Sequence, residues 1–452
     1  YEYYYAKSAG GEMGALRKLP LPLNADFEGV LDGRAIFLLR EEWKHRGKTF
    51  PQGAVIAYDL AKKRAETVMT PAANQSIDNI RVGKSGLLVS YLEDVSGAAA
   101  RLVRDDKKRK WIVKPIALPE NGVVSIVSAG GGTDDAMLSF ESLTVPDTLY
   151  YVEAGDVNAP DAADRVEKIA ETPPFFDATG VVVEQRFATS ADGTKIPYYV
   201  MGLDRVLEEG NAPTVQYAYG GFLIPTLPYY YEDPARPQHG ALAGLMWVKR
   251  GGVLVLSNIR GGGEYGPKWH QAALKENRQR AYDDFIAVSE ALIETGVTSP
   301  EKLGAIGRSN GGLLMGAMLT QRPDLYAAID CGVPLLDMKR YTSLGAGASW
   351  IGEYGDPEKP EEWAYISQYS PYQNLKAGEP YPKVLFYTST LDDRVHPAHA
   401  RKAAAKMEGL GYEVFYYENM EGGHGGTANQ DQLAYRTAIE YAYFAKMLMG
   451  DQ

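Results

Sequence analysis

From about residue 27 to residue 171, apolar residues come in short runs broken by turn chemistry, with little of the 3.6-residue period of a helix. Residues 35–39, 54–58, 86–91, 110–113 and 148–152 read as strands. Asp32-Gly33, Lys84-Ser85-Gly86 and the stretch Gly130-Gly131-Gly132-Thr133-Asp134-Asp135 supply turns between them. Strand clusters recurring at about 40–50 residues predict β-propeller blades, none of which can bury its own face alone. A β-sandwich is the competing architecture. Three or four blades fit the available length, at or below the smallest common closed ring, so the pattern carries the expectation of an amino-terminal truncation.

The pattern changes after Glu171-Thr172-Pro173-Pro174-Phe175-Phe176-Asp177, which reads as a linker. Residues 181–187 and 196–201 flank Ser190-Ala191-Asp192-Gly193-Thr194, a hairpin with Asp-Gly in the turn. Beyond it, strands at 214–218, 253–258, 384–388 and 414–417 alternate with helices at 282–295, 398–410 and 429–449. The first of these helices carries Phe285, Val288, Ala291 and Leu292 on one face. Such alternation predicts a mostly parallel sheet covered by helices on both faces. The expected domains are residues 1–177, all-β, and 178–452, α/β.

Composition narrows the function only by exclusion. The formal charge of −11 is spread along the chain with no basic stripe, so nucleic acid is not expected as a partner. No apolar run approaches the roughly 18 residues of a membrane helix, so no membrane partner is expected. The single Cys331 rules out an intrachain disulfide. The chain opens on Tyr1 without an initiating methionine or a signal-peptide pattern. The expectation is a soluble cytoplasmic or periplasmic protein with its amino-terminal region removed; oligomeric state is left open.

The candidate chemistry begins at Gly307-Arg308-Ser309-Asn310-Gly311-Gly312, between an apolar strand at 303–306 and a helical run at 313–320. A serine flanked by small residues at a strand-to-helix reversal is a nucleophile elbow, where bulkier neighbours would strike the adjoining strand. A helix N-terminus behind the hydroxyl favours developing negative charge, and the N–H of Asn310 is one oxyanion donor by elbow geometry. The hydroxyl needs a base, and the base an orienting acid. In this fold they follow in the order serine, acid, histidine. His396, His399 and His424 lie after Ser309, and His424 stands in the loop Glu421-Gly422-Gly423-His424-Gly425-Gly426. Asp392 and Asp393 follow the strand at 384–388, where open α/β sheets place their chemistry. The residues alone leave the acid as either aspartate.

Several motifs occur in order: Ser190-Ala191-Asp192-Gly193-Thr194, Tyr217-Ala218-Tyr219-Gly220-Gly221-Phe222, Asn258-Ile259-Arg260-Gly261-Gly262-Gly263-Glu264, the serine elbow, Trp350-Ile351-Gly352-Glu353-Tyr354-Gly355, Asp392-Asp393-Arg394-Val395 and Gly423-His424-Gly425. From about Val183 to the carboxyl terminus the chain therefore resembles the prolyl oligopeptidase family of serine peptidases, an α/β-hydrolase preceded by a β-propeller. The resemblance implies that Asp392 is the triad acid and that the Tyr219 hydroxyl is the second oxyanion donor. It implies that Arg394 binds a substrate carbonyl, and that Trp350 and Tyr354 stack on a proline ring in a slot extended by Phe222 and Val395. The expected substrates are short peptides cut after proline, with no cofactor. In the family the propeller excludes folded proteins, a filter that an incomplete propeller would weaken.

Other readings stay open. Tyr219, Trp350 and Tyr354 are also plausible core aromatics, and Arg394 a structural ion pair with Asp393 or Glu421. Glu353 beside the slot favours a basic side chain, as in the related oligopeptidase B branch. An esterase or acylaminoacyl hydrolase would use the same triad, and a binding module with an inactive hydrolase domain is the non-enzymatic alternative. Arg260-Gly261-Gly262-Gly263-Glu264 lacks the lysine and spacing of a phosphate loop and reads as a structural turn. His396 and His399 have a metal-like spacing but no further ligand cluster, so no metal is expected.

Overall fold

The short apolar runs of the first half pair into three four-stranded antiparallel sheets in the computed structural model, which describes residues 1–9, 12–105, 107–156, 163–230 and 241–450. The chain separates into two compact units. One comprises Tyr1–Glu141, Pro146–Pro173 and Tyr265–Pro267; the other comprises Ser142–Val145, Pro174–Glu264 and Lys268–Gln452.

In the first unit, Ala25–Leu31, Arg34–Leu39, Val55–Asp59 and Arg64–Met69 form one meander. Gln75–Val82, Gly86–Glu93, Ser96–Asp105 and Lys110–Ile116 form the next, and Val123–Ala129, Ala136–Glu141, Thr148–Glu153 and Arg165–Glu171 the third. Three separate blade-like sheets, rather than two facing ones, set the sandwich aside. One apolar cluster joins the first two: Ile36, Leu38 and Val55 pack with Leu87, Val89 and Leu102. The opposite face of the first sheet buries Phe37, Ile56 and Trp43 in a second cluster. Strands that the apolar pattern did not reveal have identifiable reasons. Ser96–Asp105 is built around Gly97 and three alanines of low strand propensity. Arg165–Glu171 is an edge strand with almost every residue exposed, so it has no apolar face to read.

The second unit carries one eight-stranded sheet: β1 (Val181–Thr189), β2 (Lys195–Leu203), β3 (Thr214–Tyr217), β4 (Val253–Ser257), β5 (Leu303–Arg308), β6 (Ala328–Gly332), β7 (Val384–Ser389) and β8 (Phe415–Asn419). Their order is β1-β2-β4-β3-β5-β6-β7-β8. β1 and β2 are antiparallel, and β3 to β8 run parallel. The central strands β3 to β7 are buried at every position, as a parallel sheet covered on both faces requires. The fold is that of an α/β-hydrolase. Helix α1 (Gln279–Glu294) turns Phe285, Val288 and Leu292 inward. α2 (Asn310–Gln321), α3 (Ala398–Gly409) and α4 (Gln430–Phe444) follow β5, β7 and β8.

Charge fixes the hairpin between β1 and β2. Buried Arg260 donates to both carboxylate oxygens of Asp284 on α1, at 2.6 and 2.9 Å, and to Asp192 in the turn at 2.5 Å. The hydroxyl of Ser190 donates to the same Asp284 at 2.6 Å. Arg260 hydrogen bonding, working against burial, holds the Asp192 carboxyl well below the usual carboxylate range. The Arg260 glycine run is thus a structural turn anchored by an ion pair. Removing one partner of a buried pair leaves the other charge unpaired, at a cost of about 3–5 kcal/mol. Asp284→Ala is expected to lower the unfolding free energy of this unit by about that amount in a denaturant titration. A change below about 1 kcal/mol would contradict the role of this pair.

Candidate active site

The end of β5 cannot continue smoothly into α2. A Cβ on Gly307 would lie 2.3 Å from the carbonyl oxygen of Gly311, and one on Gly312 would lie 2.7 Å from Pro334. Only glycine lets strand and helix approach this closely. Ser309 takes up the reversal itself, at φ 60 and ψ −115, a sparsely populated conformation for a residue with a side chain. Its N–H donates to the carbonyl of Gly332 on β6 at 2.9 Å, which ties the elbow to the sheet.

His424, in the loop after β8, places Nε2 3.0 Å from the Ser309 hydroxyl oxygen. Its Nδ1 lies 2.8 Å from Oδ2 of Asp392, in the loop after β7. Asp392 is buried, and its other oxygen accepts the N–H groups of Arg394 (3.0 Å) and Val395 (2.8 Å). The carboxylate therefore has a fixed direction. Asp393 is exposed. The choice left open between the two aspartates falls geometrically on Asp392.

Asn310 joins this relay to the aromatic residues. Its side-chain amide donates to the carbonyl of Tyr219 at 2.5 Å, and its oxygen accepts from Tyr354 at 2.7 Å and Arg278 at 2.5 Å. The Tyr219 hydroxyl interacts with Ser309. Burial raises the pKa of that hydroxyl, with the Ser309 contact and the charges of Arg278 and Arg394 opposing, so it remains a protonated donor. Arg394 is exposed and, among the described residues, makes no ion pair with Asp393 or Glu421. Phe222 meets Trp350 edge to face at 6.5 Å and Tyr354 at 5.8 Å. Phe222 and Trp350 keep part of their surface exposed.

Two expectations about the slot are corrected. Tyr354 and Val395 have 0% and 1% of their surface exposed, which leaves no face to stack on a ligand. Tyr354 is enclosed because its hydroxyl is drawn to Asn310 while its ring packs against Phe222, Tyr341 and the Arg278 guanidinium. Val395 is enclosed by the turn that closes on Asp392. Their contribution is support for Asn310 and for the acid.

Glu353 has a role that its position in the motif did not suggest. It is buried, and it accepts from the Phe222 N–H (3.0 Å) and from Arg278 (3.1 Å), with His270 Nε2 at 2.7 Å. Burial would raise its pKa, but His270, Arg278 and the Phe222 N–H together hold it lower than usual. Both of its carboxylate oxygens are thus engaged within the protein. Arg278 and His270 escaped sequence reading because they sit in polar stretches that resemble a solvated surface. His399, one of the two metal-spaced histidines, is buried and accepts the N–H groups of Leu336 and Asp337 at Nδ1. Burial lowers its pKa to about 4. Among the described residues, no three His, Cys, Asp or Glu side chains are grouped to hold a metal ion.

A serine–histidine–aspartate relay at a strand-to-helix elbow is the arrangement of an α/β-hydrolase. Comparison with known proteins narrows the class. A family model described as "Prolyl oligopeptidase family" matches residues 242–451, and one described as "Prolyl oligopeptidase, N-terminal beta-propeller domain" matches residues 40–158. The chain belongs to the prolyl oligopeptidase family. An uncharacterized peptidase (y4nA) of Sinorhizobium fredii is 44% identical over 442 residues, covering 96% of this chain and 58% of that protein. A prolyl endopeptidase of Elizabethkingia miricola is 33% identical over 443 residues, covering 95% of this chain and 58% of that protein. The solved structure of a post-proline cleaving enzyme from Rickettsia typhi matches at a TM-score of 0.83 and 33% identity, covering 99% of this chain and 63% of that one. The chain thus spans about 58% of the length of these curated relatives.

The loop bearing Phe222 is anchored at its far end by Glu264. Buried Glu264 accepts the Thr226 N–H at 2.8 Å, and burial, opposed by that bond and by Asn258, pushes its pKa to about 8. Between the ordinary value of 4.5 and about 8 the folded state holds a proton that the unfolded state has lost. Stability from this group therefore declines as pH rises through that window and levels above it. Glu264→Gln mimics the protonated acid. Its urea midpoint is expected to gain on the wild type steadily from about pH 5 to pH 8. Parallel pH profiles would contradict the shift.

Proposed function

We propose that the chain carries a serine peptidase that hydrolyses short peptides on the carboxyl side of proline. The observation that carries this reading is the continuous relay from Asp392 through His424 to Ser309, at 2.8 and 3.0 Å. His424 takes the Ser309 proton as the hydroxyl attacks the scissile carbonyl, and Asp392 holds the imidazole and stabilises the imidazolium. The oxyanion is held by the Asn310 N–H and the Tyr219 hydroxyl. His424 then gives its proton to the leaving amine, and water repeats the sequence on the acyl-enzyme. Arg394, exposed beside Tyr219, offers its guanidinium to a peptide carbonyl.

Proline specificity rests on the partly exposed pair Phe222 and Trp350, whose flat apolar faces suit a compact ring without a donor. The names of the relatives, prolyl endopeptidase and post-proline cleaving enzyme, support the same reading. A preference for a basic residue is disfavoured by one observation. Glu353, the acid that accepts the Phe222 N–H, is already committed to Arg278, His270 and that backbone N–H. Bringing a substrate cation to it would break these bonds in a buried setting.

The test is kinetic profiling on chromogenic peptides that differ only in the residue before the scissile bond, with a simple acyl ester alongside. Proline is expected to exceed alanine and arginine in kcat/KM, and Trp350→Ala to erode the preference for proline over alanine by roughly 10–100-fold. An arginine preference, or a proline preference untouched by Trp350→Ala, would contradict the slot. A fluorophosphonate probe is expected to label the wild type and not Ser309→Ala; labelling of both would contradict the nucleophile.

A further inference from the structure

Ser309 and His424 lie 115 positions apart, yet their side chains must stay within one hydrogen bond. The loop that carries His424 contains Gly422, Gly423, Gly425 and Gly426, and so has little stiffness of its own. Its near end is pinned at Gly422, whose N–H donates to Asn419 at 2.7 Å and whose carbonyl accepts from the Ser389 hydroxyl. The far end is held differently. The carbonyl of Gly425, the residue after His424, accepts from Arg308 Nη2 at 2.8 Å and from Arg436 Nη1 at 2.7 Å. Arg308 is the last residue of β5 and is bonded directly to Ser309; Arg436 comes from α4.

Both guanidiniums rest on the ring of Tyr387, at 5.6 and 5.5 Å from its centroid. Arg436 pairs with Glu440 one turn further along α4, at 3.3 Å, and both are 1% exposed. Asp330 on β6 belongs to the same cluster. Burial pushes its carboxyl well above the usual range, Glu440 adds to the shift, and the two arginines oppose it. Burying two guanidiniums is expensive for any fold, and apolar residues of similar volume would serve stability as well or better. A carbonyl needs one donor to be satisfied. Here it has two charged ones, and one of them is the residue beside the nucleophile.

We infer that Arg308 and Arg436 are positioning residues that clamp the Gly425 carbonyl and so set the distance between the Ser309 hydroxyl and the His424 imidazole. Nucleophile and base are thereby fixed to a common point, although their loops leave different strands. The inference rests on the peptidase reading above and adds to it what holds the relay in register.

The test compares wild type, Arg436→Lys and the double variant Arg436→Met/Glu440→Leu, which removes both buried charges together. Fluorophosphonate labelling rate, kcat and KM on a proline-linked chromogenic peptide are read beside thermal melts. The folded double variant is expected to lose about 100-fold in kcat and labelling rate, as a displacement of about 1 Å in a reacting pair can cause. KM should stay within about two-fold, and Arg436→Lys should recover roughly tenfold by keeping one charged donor. Unchanged kcat and labelling in the folded double variant, or a loss carried wholly by KM, would overturn the clamp. If the double variant does not fold, Arg436→Ala with millimolar guanidinium carries the test. Restored kcat at unchanged melting temperature supports the clamp, and no restoration overturns it. Absence of labelling in the wild type would instead defeat the peptidase reading itself.

Discussion

The second unit depends on a steric constraint at the end of its fifth strand. Between Gly307 and Gly312 the chain reverses from strand to helix so tightly that a Cβ at either glycine would enter occupied space. The strain is placed on Ser309, whose backbone adopts an unfavourable conformation and whose hydroxyl is thereby turned out of the sheet. Everything assembled around it answers to that position. β6 ties the serine down through its backbone, Asn310 reaches to Tyr219 and Tyr354, and the loops after β7 and β8 bring Asp392 and His424 to meet it.

Buried charge holds several of the loops that leave this sheet. Arg260 binds the β1–β2 hairpin to α1 through Asp284. Arg278 and Glu353 fix the backbone at Phe222 and the side chain of Asn310. Arg308 and Arg436 meet at Gly425. Guanidinium groups suit this task because their planar, forked donors reach two acceptors at once in fixed directions. Such clusters add little to stability over apolar packing, but they specify one arrangement of otherwise glycine-rich loops.

Local chemistry made part of this legible before any coordinates. The elbow, the glycine-flanked His424 and the strand-end aspartates announce themselves because each stands among unusual neighbours over a few residues. The parallel sheet was readable because most of its strands are rich in apolar residues, although Gln216, Arg308 and Asp330 are buried within them. Helix α2 begins at Asn310, three residues before its apolar run, because Gly311 and Gly312 read as a turn when they are in fact small residues needed for close packing. Strands such as Arg165–Glu171 have no buried face and so no pattern. Tyr354 was assigned by motif to a surface that the fold withholds from it. The partners of Glu353 were beyond reach for another reason: Arg278 and His270 lie 75 and 83 positions away, and neither stretch marks itself as interior.

The central proposal is that the Ser309 hydroxyl oxygen attacks the scissile carbonyl and becomes the ester oxygen of an acyl-enzyme, in a site that favours proline. It is tested most directly by treating the protein with a peptidyl phosphonate ending in a proline analogue and mapping the adduct by peptide mass spectrometry. The account predicts one adduct, on Ser309, formed faster than with the matching alanine analogue and slowed by a competing proline-containing peptide. An adduct on another residue, or none while the protein remains folded, would contradict it.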